Sequence, residues 1–382
     1  MIPYGRQEVS QDDIDAVVEV LRSDFLTQGP VVPKFEDAVA NRVNAKHGIA
    51  VNSATSALHI ACAALDLGPG DWLWTSPITF VASANCGRYC GAKIDFVDID
   101  PDTFNMCPEA LEAKLAEAKG QGKLPKVIVP VHMCGQSPDM VRISQLARRY
   151  GVRIVEDASH AIGAEYHGRP VGDCTYSDIT VFSFHPVKII TTGEGGLATT
   201  NDPAFARRMA ELRTHGITRE PSRMTKDSEG PWYYQQIELG WNYRMTEMQG
   251  ALGLSQMERL DEFICRRREL AAAYNECLSD LPILLPGSVE GSNSSWHLYV
   301  IRLADVDRRR EVFEALQAVG IGVNLHYIPV HLQPYYQRFG FKRGDFPASE
   351  DYYDRAISIP LHPGLEASDR RQIVDALHEA LR

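Results

Sequence analysis

Three observations predict an α/β fold: a large domain with a mostly parallel central sheet flanked by helices, followed by a smaller C-terminal α+β domain. Short apolar runs alternate with helical patterns from about residue 46 to 200, as strand–helix–strand units require. A long helical pattern from Thr246 to about Leu278 then bridges to the rest of the chain. Beyond it, His297–Leu303 reads as a strand, while Arg308–Val319 and Arg370–Leu381 read as helices. This division places the large domain, with the N-terminal segment, over residues 1–250 and the small one over 251–382.

In chain order, His47–Val51 is a strand leading into Asn52-Ser53-Ala54-Thr55, after which Leu58, Ala61, Cys62 and Leu65 recur at helical spacing. Gly68-Pro69-Gly70-Asp71 is a turn. Trp72–Thr75, Ile94–Val97, Val127–Val131, Val152–Val155 and Ile179–Phe182 have strand length, with helices expected at Pro108–Ala118 and Pro138–Tyr150. Residues 218–236 are polar and turn-rich, which predicts a long loop able to move when no ligand is bound.

Composition excludes several function classes. Lys and Arg number 39 against 50 Asp and Glu, a net charge of −11, and no basic block offsets it. Such a chain is ill suited to nucleic acid or to an anionic membrane. Arg308-Arg309-Arg310 is flanked by Asp305, Asp307 and Glu311 and reads as a solvated helix start. No apolar run approaches the roughly 20 residues that span a bilayer, and the first residues lack a signal-peptide pattern, so a cytoplasmic protein is expected. The eight cysteines include no C-x-x-C pair. Buried reduced thiols, and no metal centre, are expected.

Three segments carry candidate chemistry. Asp157, in VRIVEDASH, follows a strand and would reach the sheet's carboxyl edge, where sites collect; a turn-capping role suits it too. Lys188 lies among Pro186, Val187, Ile189 and Ile190, where lost solvation would depress the amine pKa and favour attack on a carbonyl; the alternative is a surface lysine whose stem lies along apolar atoms. The adjoining Gly193-Glu194-Gly195-Gly196 fits a tight turn where backbone must approach a ligand. Asn52–Ser56 is a strand-to-helix junction whose N–H groups suit either a phosphate or simple N-capping. An amine, a carboxylate and a phosphate turn are together what pyridoxal phosphate requires. No G-x-G-x-x-G, G-K-[ST] or G-x-S-x-G motif competes, which weakens a dinucleotide oxidoreductase reading.

The segments PYGRQ, LTQGP, NSATSALH, PITFVASAN, VEDASHA, SFHPVK, TTGEGG, GWNYRMTEMQGALG and HYIPVH, in this order over nearly the whole chain, resemble the DegT/DnrJ/EryC1/StrS sugar aminotransferases of PLP fold type I. The resemblance implies that Lys188 joins the PLP aldehyde and shuttles protons, and that Asp157 pairs with the pyridine nitrogen. It implies that His160 lies near the phenolic oxygen and that Phe80 stacks on the ring. Ala54, Thr55 and Ser183 would hold the phosphate, and Asn242 would reach the phosphate of a neighbouring subunit in a homodimer with shared sites. Tyr4, Leu26, Thr27, His185, His326 and Tyr327 would shape the sugar pocket. Relatives with histidine at the lysine position act as dehydratases, and this chain keeps Lys188. PITFVASAN, SFHPVKIITTGEGG and WHLYVIRL are similar to the pseudaminic acid branch. That branch moves an amino group from L-glutamate to C4 of UDP-4-keto-6-deoxy-N-acetyl-β-L-altrosamine. The same chemistry on another nucleotide 4-keto or 3-keto sugar, or a non-catalytic regulator that binds cofactor or nucleotide sugar, stays open at this point.

Overall fold

The computed structural model describes all 382 residues. Seven strands form the main sheet: β1 (His47–Val51), β2 (Trp72–Thr75), β3 (Lys93–Phe96), β4 (Val127–Val129), β5 (Arg153–Asp157), β6 (Ile179–Ser183) and β7 (Gly196–Thr200). Their order is β1-β7-β6-β5-β4-β2-β3, and every pair from β6 to β3 is parallel. Only β7 runs against both its neighbours. The carboxyl ends of β1, β5 and β6 therefore share one edge, which carries the Asn52–Thr55 turn, Asp157 and Ser183. Val127–Val131 was expected as one strand, and it stops at Val129 because Pro130 has no N–H to continue the ladder.

Both faces of the sheet are covered, so its strands read as nearly continuous apolar runs. Val51, Leu73, Phe96, Val129, Val155 and Val181 pack under α3 (Ala54–Ala64) and its neighbours on one face. Trp74, Ile128 and Ile154 meet helices Pro108–Gln121 and Met140–Tyr150 on the other. A second apolar core surrounds an antiparallel sheet of Ile283–Leu284, Tyr299–Leu303 and Ala356–Ile359, covered by helices Arg309–Ala318 and Ala367–Ala380. Ile2 joins this core and pairs with Ile321.

The single helical pattern expected from Thr246 to Leu278 is two helices, Glu247–Met257 and Leu260–Cys277. The break sits beside a buried carboxylate. Asp13 accepts from Ser255 Oγ at 2.6 Å, Gln256 Nε2 at 2.6 Å and Arg259 Nη2 at 2.9 Å, and Arg259 leaves helical geometry where it does so. Residues 218–236 are not loop throughout, because Ile217–Thr218 pairs with Gln235–Gln236 at the base. Of the expected buried thiols, Cys265 and Cys277 are exposed, lying on the outer side of their helix. Arg308 does more than solvate a helix start: its Nη2 donates to Ala380 O at 2.9 Å, capping the C-terminal helix. No helix is long and apolar enough to cross a membrane.

Candidate active site

Lys188 lies in the connection between β6 and β7, a loop closed upon itself. Phe184 N donates to Gly195 O at 2.9 Å, and Thr192 N donates to Phe184 O at 3.0 Å. Ile189 and Ile190 bury beside it, and Lys188 N donates to His185 O at 2.9 Å. Burial pulls the amine down from its ordinary 10.5 to about 8, against the opposing pull of the Asp157 charge. The side chain as a whole is half-buried, and burial weighs on its amine end, unlike a surface lysine whose head stays in water.

Asp157 ends β5 and is itself buried. Its Oδ1 accepts from Ser159 N at 3.1 Å and its Oδ2 from Ser83 Oγ at 2.6 Å. Each oxygen keeps a free lone-pair site for a further donor. Ser83 is a residue that sequence reasoning does not single out. The only available signal is the four-residue spacing of Thr79 and Ser83 in PITFVASAN, which places both hydroxyls on one side of a helix start.

The strand-to-helix turn after β1 is held from two sides. On one, Gly196 pairs with Val51, and a Cβ there would lie 2.4 Å from Ala54 N and 2.5 Å from Ser53 C. No side chain fits at that position. On the other, Asn52 N donates to Tyr243 O at 2.8 Å, and Val51 bridges Arg244. His59 binds this flank to α3, its ring tilted against Trp241 at 4.2 Å with Nδ1 3.2 Å from Tyr243 Oη. Ser53 caps α3 by accepting from Ser56 N at 3.2 Å, which leaves Ala54 and Thr55 at the positive end of the helix dipole. The phosphate and capping readings of this turn are thus compatible.

His160 is buried and carries no charge: burial, then Lys188 and His326, hold it well below the usual imidazole range. Its Nε2 lies 3.1 Å from Tyr327 Oη, and its Nδ1 is buried without a partner. Burial keeps the Tyr327 phenol protonated, so the phenol can donate to Nε2, and in that tautomer the imidazole proton sits on the unpartnered Nδ1. His297, also overlooked by sequence reasoning, packs its ring 4.4 Å from that of His160. Phe80 is 57% exposed, its ring 6.1 Å from Tyr327.

The residues expected around a sugar do not all converge within this chain. Tyr4, His326 and Tyr327 do, with rings of Tyr4 and His326 5.3 Å apart and His326 Nδ1 anchored 2.8 Å from Ser358 Oγ. His185 is exposed, its Nε2 4.0 Å from a Glu194 carboxylate oxygen. Leu26 and Thr27 lie against a different element: Thr27 bridges Thr246, and Leu26 O accepts from Glu247 N at 3.0 Å. Asn242 is exposed, and its own carbonyl lies 3.5 Å from Asn52 Nδ2.

The model of the DegT/DnrJ/EryC1/StrS aminotransferase family matches residues 7–378. The chain belongs to that family. It is 37% identical over 390 residues, covering 100% of this chain and 98% of the relative, to the UDP-4-amino-4,6-dideoxy-N-acetyl-beta-L-altrosamine transaminase of Campylobacter jejuni. Its structure matches Helicobacter pylori PseC, an aminotransferase involved in the biosynthesis of pseudoaminic acid, with a TM-score of 0.91 and 31% identity over 100% of this chain and 99% of that one. It matches the PLP-form of Spr1654 from Streptococcus pneumoniae with a TM-score of 0.90 and 29% identity, over 100% of both chains. The protein is a PLP-dependent sugar aminotransferase of fold type I. The residues present fit the cofactor: a backbone cradle closed to any side chain at Gly196, a carboxylate with unused acceptor sites, an unpartnered Nδ1 on His160 and a withdrawn amine.

Two outcomes are expected. Gly196→Ala should cost about 1–3 kcal/mol in urea unfolding through overpacking and should weaken PLP retention in equilibrium dialysis, since the turn must open. Capture of PLP by the apoprotein should rise about tenfold per pH unit up to the Lys188 value of about 8 and then level off. The neutral amine is the attacking form, so a rise deferred to pH 10 would show a solvated lysine instead.

Proposed function

We propose that this protein transfers the amino group of L-glutamate to C4 of a UDP-linked 4-keto-6-deoxy sugar, UDP-4-keto-6-deoxy-N-acetyl-β-L-altrosamine. The observation that carries the reading is the end-to-end similarity to the Campylobacter jejuni altrosamine transaminase, with Lys188 and Asp157 both present at the sheet edge.

When bound, PLP supplies an aldehyde that can carry an amino group and a ring that accepts the electron pair of a broken C–H bond. The chain supplies the rest. Ala54 and Thr55, at the head of α3, and Ser183, at the end of β6, would hold the phosphate, and Phe80 would cover one face of the ring. Asp157 would keep the pyridine nitrogen protonated, and the His160 Nδ1 proton would face the phenolic oxygen. Lys188 Nζ is the proton carrier. It takes a proton from Cα of glutamate in one half-reaction and delivers one to C4 of the sugar in the other, and the face it delivers from sets the configuration.

The sugar is read by a few side chains, with Tyr4, His326 and Tyr327 on this chain nearest the centre. Leu26, Thr27 and Asn242 lie on the outside of the chain, where a second copy in a homodimer would meet them. Leu21 and Phe25, 55% and 52% exposed, add apolar side chains to the segment that carries Leu26. His185 stands at the rim.

The test incubates the enzyme with L-glutamate and a panel of UDP-linked 4-keto-6-deoxy sugars and reads products by mass. Amination of the altrosamine-series ketone, with an equal amount of 2-oxoglutarate, is expected; amination of a different sugar only would overturn the substrate. Lys188→Arg should fold, by circular dichroism, yet turn over at under a thousandth of the native rate. Borohydride treatment of the native protein should leave a pyridoxyl group on the Lys188 peptide and on no other.

A further inference from the structure

Two hydroxyls stand behind Asp157 in a buried row. Ser83 Oγ lies 2.6 Å from Asp157 Oδ2, and Thr79 Oγ1 lies 2.6 Å from Ser83 Oγ. All three residues are 5% exposed or less. An ionised carboxylate only accepts, so Ser83 must donate its single proton to Oδ2. The Ser83 oxygen is then free to accept, and Thr79 donates to it. The direction of the row is therefore fixed, Thr79 to Ser83 to Asp157, and every proton in it points at the carboxylate. The only other contact of the Ser83 hydroxyl, Phe80 O at 3.3 Å, is longer and uncharged.

We infer that Ser83, oriented by Thr79, is a positioning residue that holds Asp157 as a carboxylate turned toward the cofactor's ring nitrogen. This rests on the proposed role of Asp157. A hydrogen bond to an ionised acceptor favours the ionised form, and a second donor in line strengthens the first. Each donor to the carboxylate supports the ionised form, which is the form that can accept from a protonated ring nitrogen. Ser83 lies in helix Ala82–Tyr89 and Thr79 just before it, so the row ties the protonation of the ring to the same segment that carries Phe80. Ring stacking and ring charge are set by one short stretch, Thr79 to Ser83.

The experiment loads native and variant holoenzymes with PLP carrying nitrogen-15 in the ring and records its chemical shift across pH. Ser83→Ala should displace the resonance part of the way toward that of unprotonated pyridine. Ser83→Thr, which keeps a hydroxyl, should restore it. Glutamate half-reaction rates in Ser83→Ala should fall about tenfold, ~1.4 kcal/mol, with the KM for glutamate unchanged. Asp157→Asn serves as the reference and should give the full displacement. A Ser83→Ala resonance identical to the native one, beside a displaced Asp157→Asn, overturns the inference alone. An undisplaced Asp157→Asn overturns the role of Asp157 and this inference with it. Should Ser83→Ala not fold, the near-isosteric Thr79→Val carries the test: a smaller displacement in the same direction supports the row, and none overturns it.

Discussion

The whole site depends on keeping one amine out of water beside one carboxylate. The two influences on Lys188 oppose each other, because the Asp157 charge favours the ammonium form and burial favours the neutral one. Burial wins, and an amine near 8 is neutral in about a fifth of molecules near pH 7.4, whereas in a solvated lysine the neutral form is about a thousandth. What excludes the water is mundane: Ile189 and Ile190 below, the self-bonded loop around them, and the sheet beneath. The carboxylate in turn stays buried because its two oxygens are served by Ser159 N and Ser83 Oγ.

The histidines follow from the same constraint. His160, His297 and His326 crowd the amine, and burial leads the causes that hold each of them uncharged, with Lys188 adding to it in all three. A charged imidazole here would repel the ammonium form and raise the electrostatic cost of protonating anything nearby. Neutral rings can instead pack ring against ring, as His160 and His297 do at 4.4 Å, and offer a single directed N–H. These rings are thus held as neutral dipoles at neutral pH.

Much of this is legible in the sequence, and the failures have physical causes. Strand–helix alternation predicts the parallel sheet because doubly covered strands are apolar throughout. The exception is β7, whose Leu197-Ala198-Thr199-Thr200 looks too polar for a core strand. Both threonine hydroxyls are spent on backbone carbonyls, Gly172 O and Asp178 O, each at 2.8 Å, so the strand buries at little cost. Lys188 and Asp157 stand out by their apolar surroundings and strand-end position. Ser83 and His297 do not, since each acts through a contact with a residue far along the chain. Leu26, Thr27 and Asn242 cannot be placed by one chain at all, for they face outward.

The reversal of β7 has a consequence for turnover. Because β6 and β7 are hydrogen-bonded neighbours running in opposite directions, the loop that carries the lysine is the cap of a hairpin and not a long crossover. Both of its ends are clamped within the sheet, so the backbone that carries the amine has little room to move. In the proposed role the amine would stay a tethered reagent at very high local concentration, held close to the site without the enzyme having to reorganise.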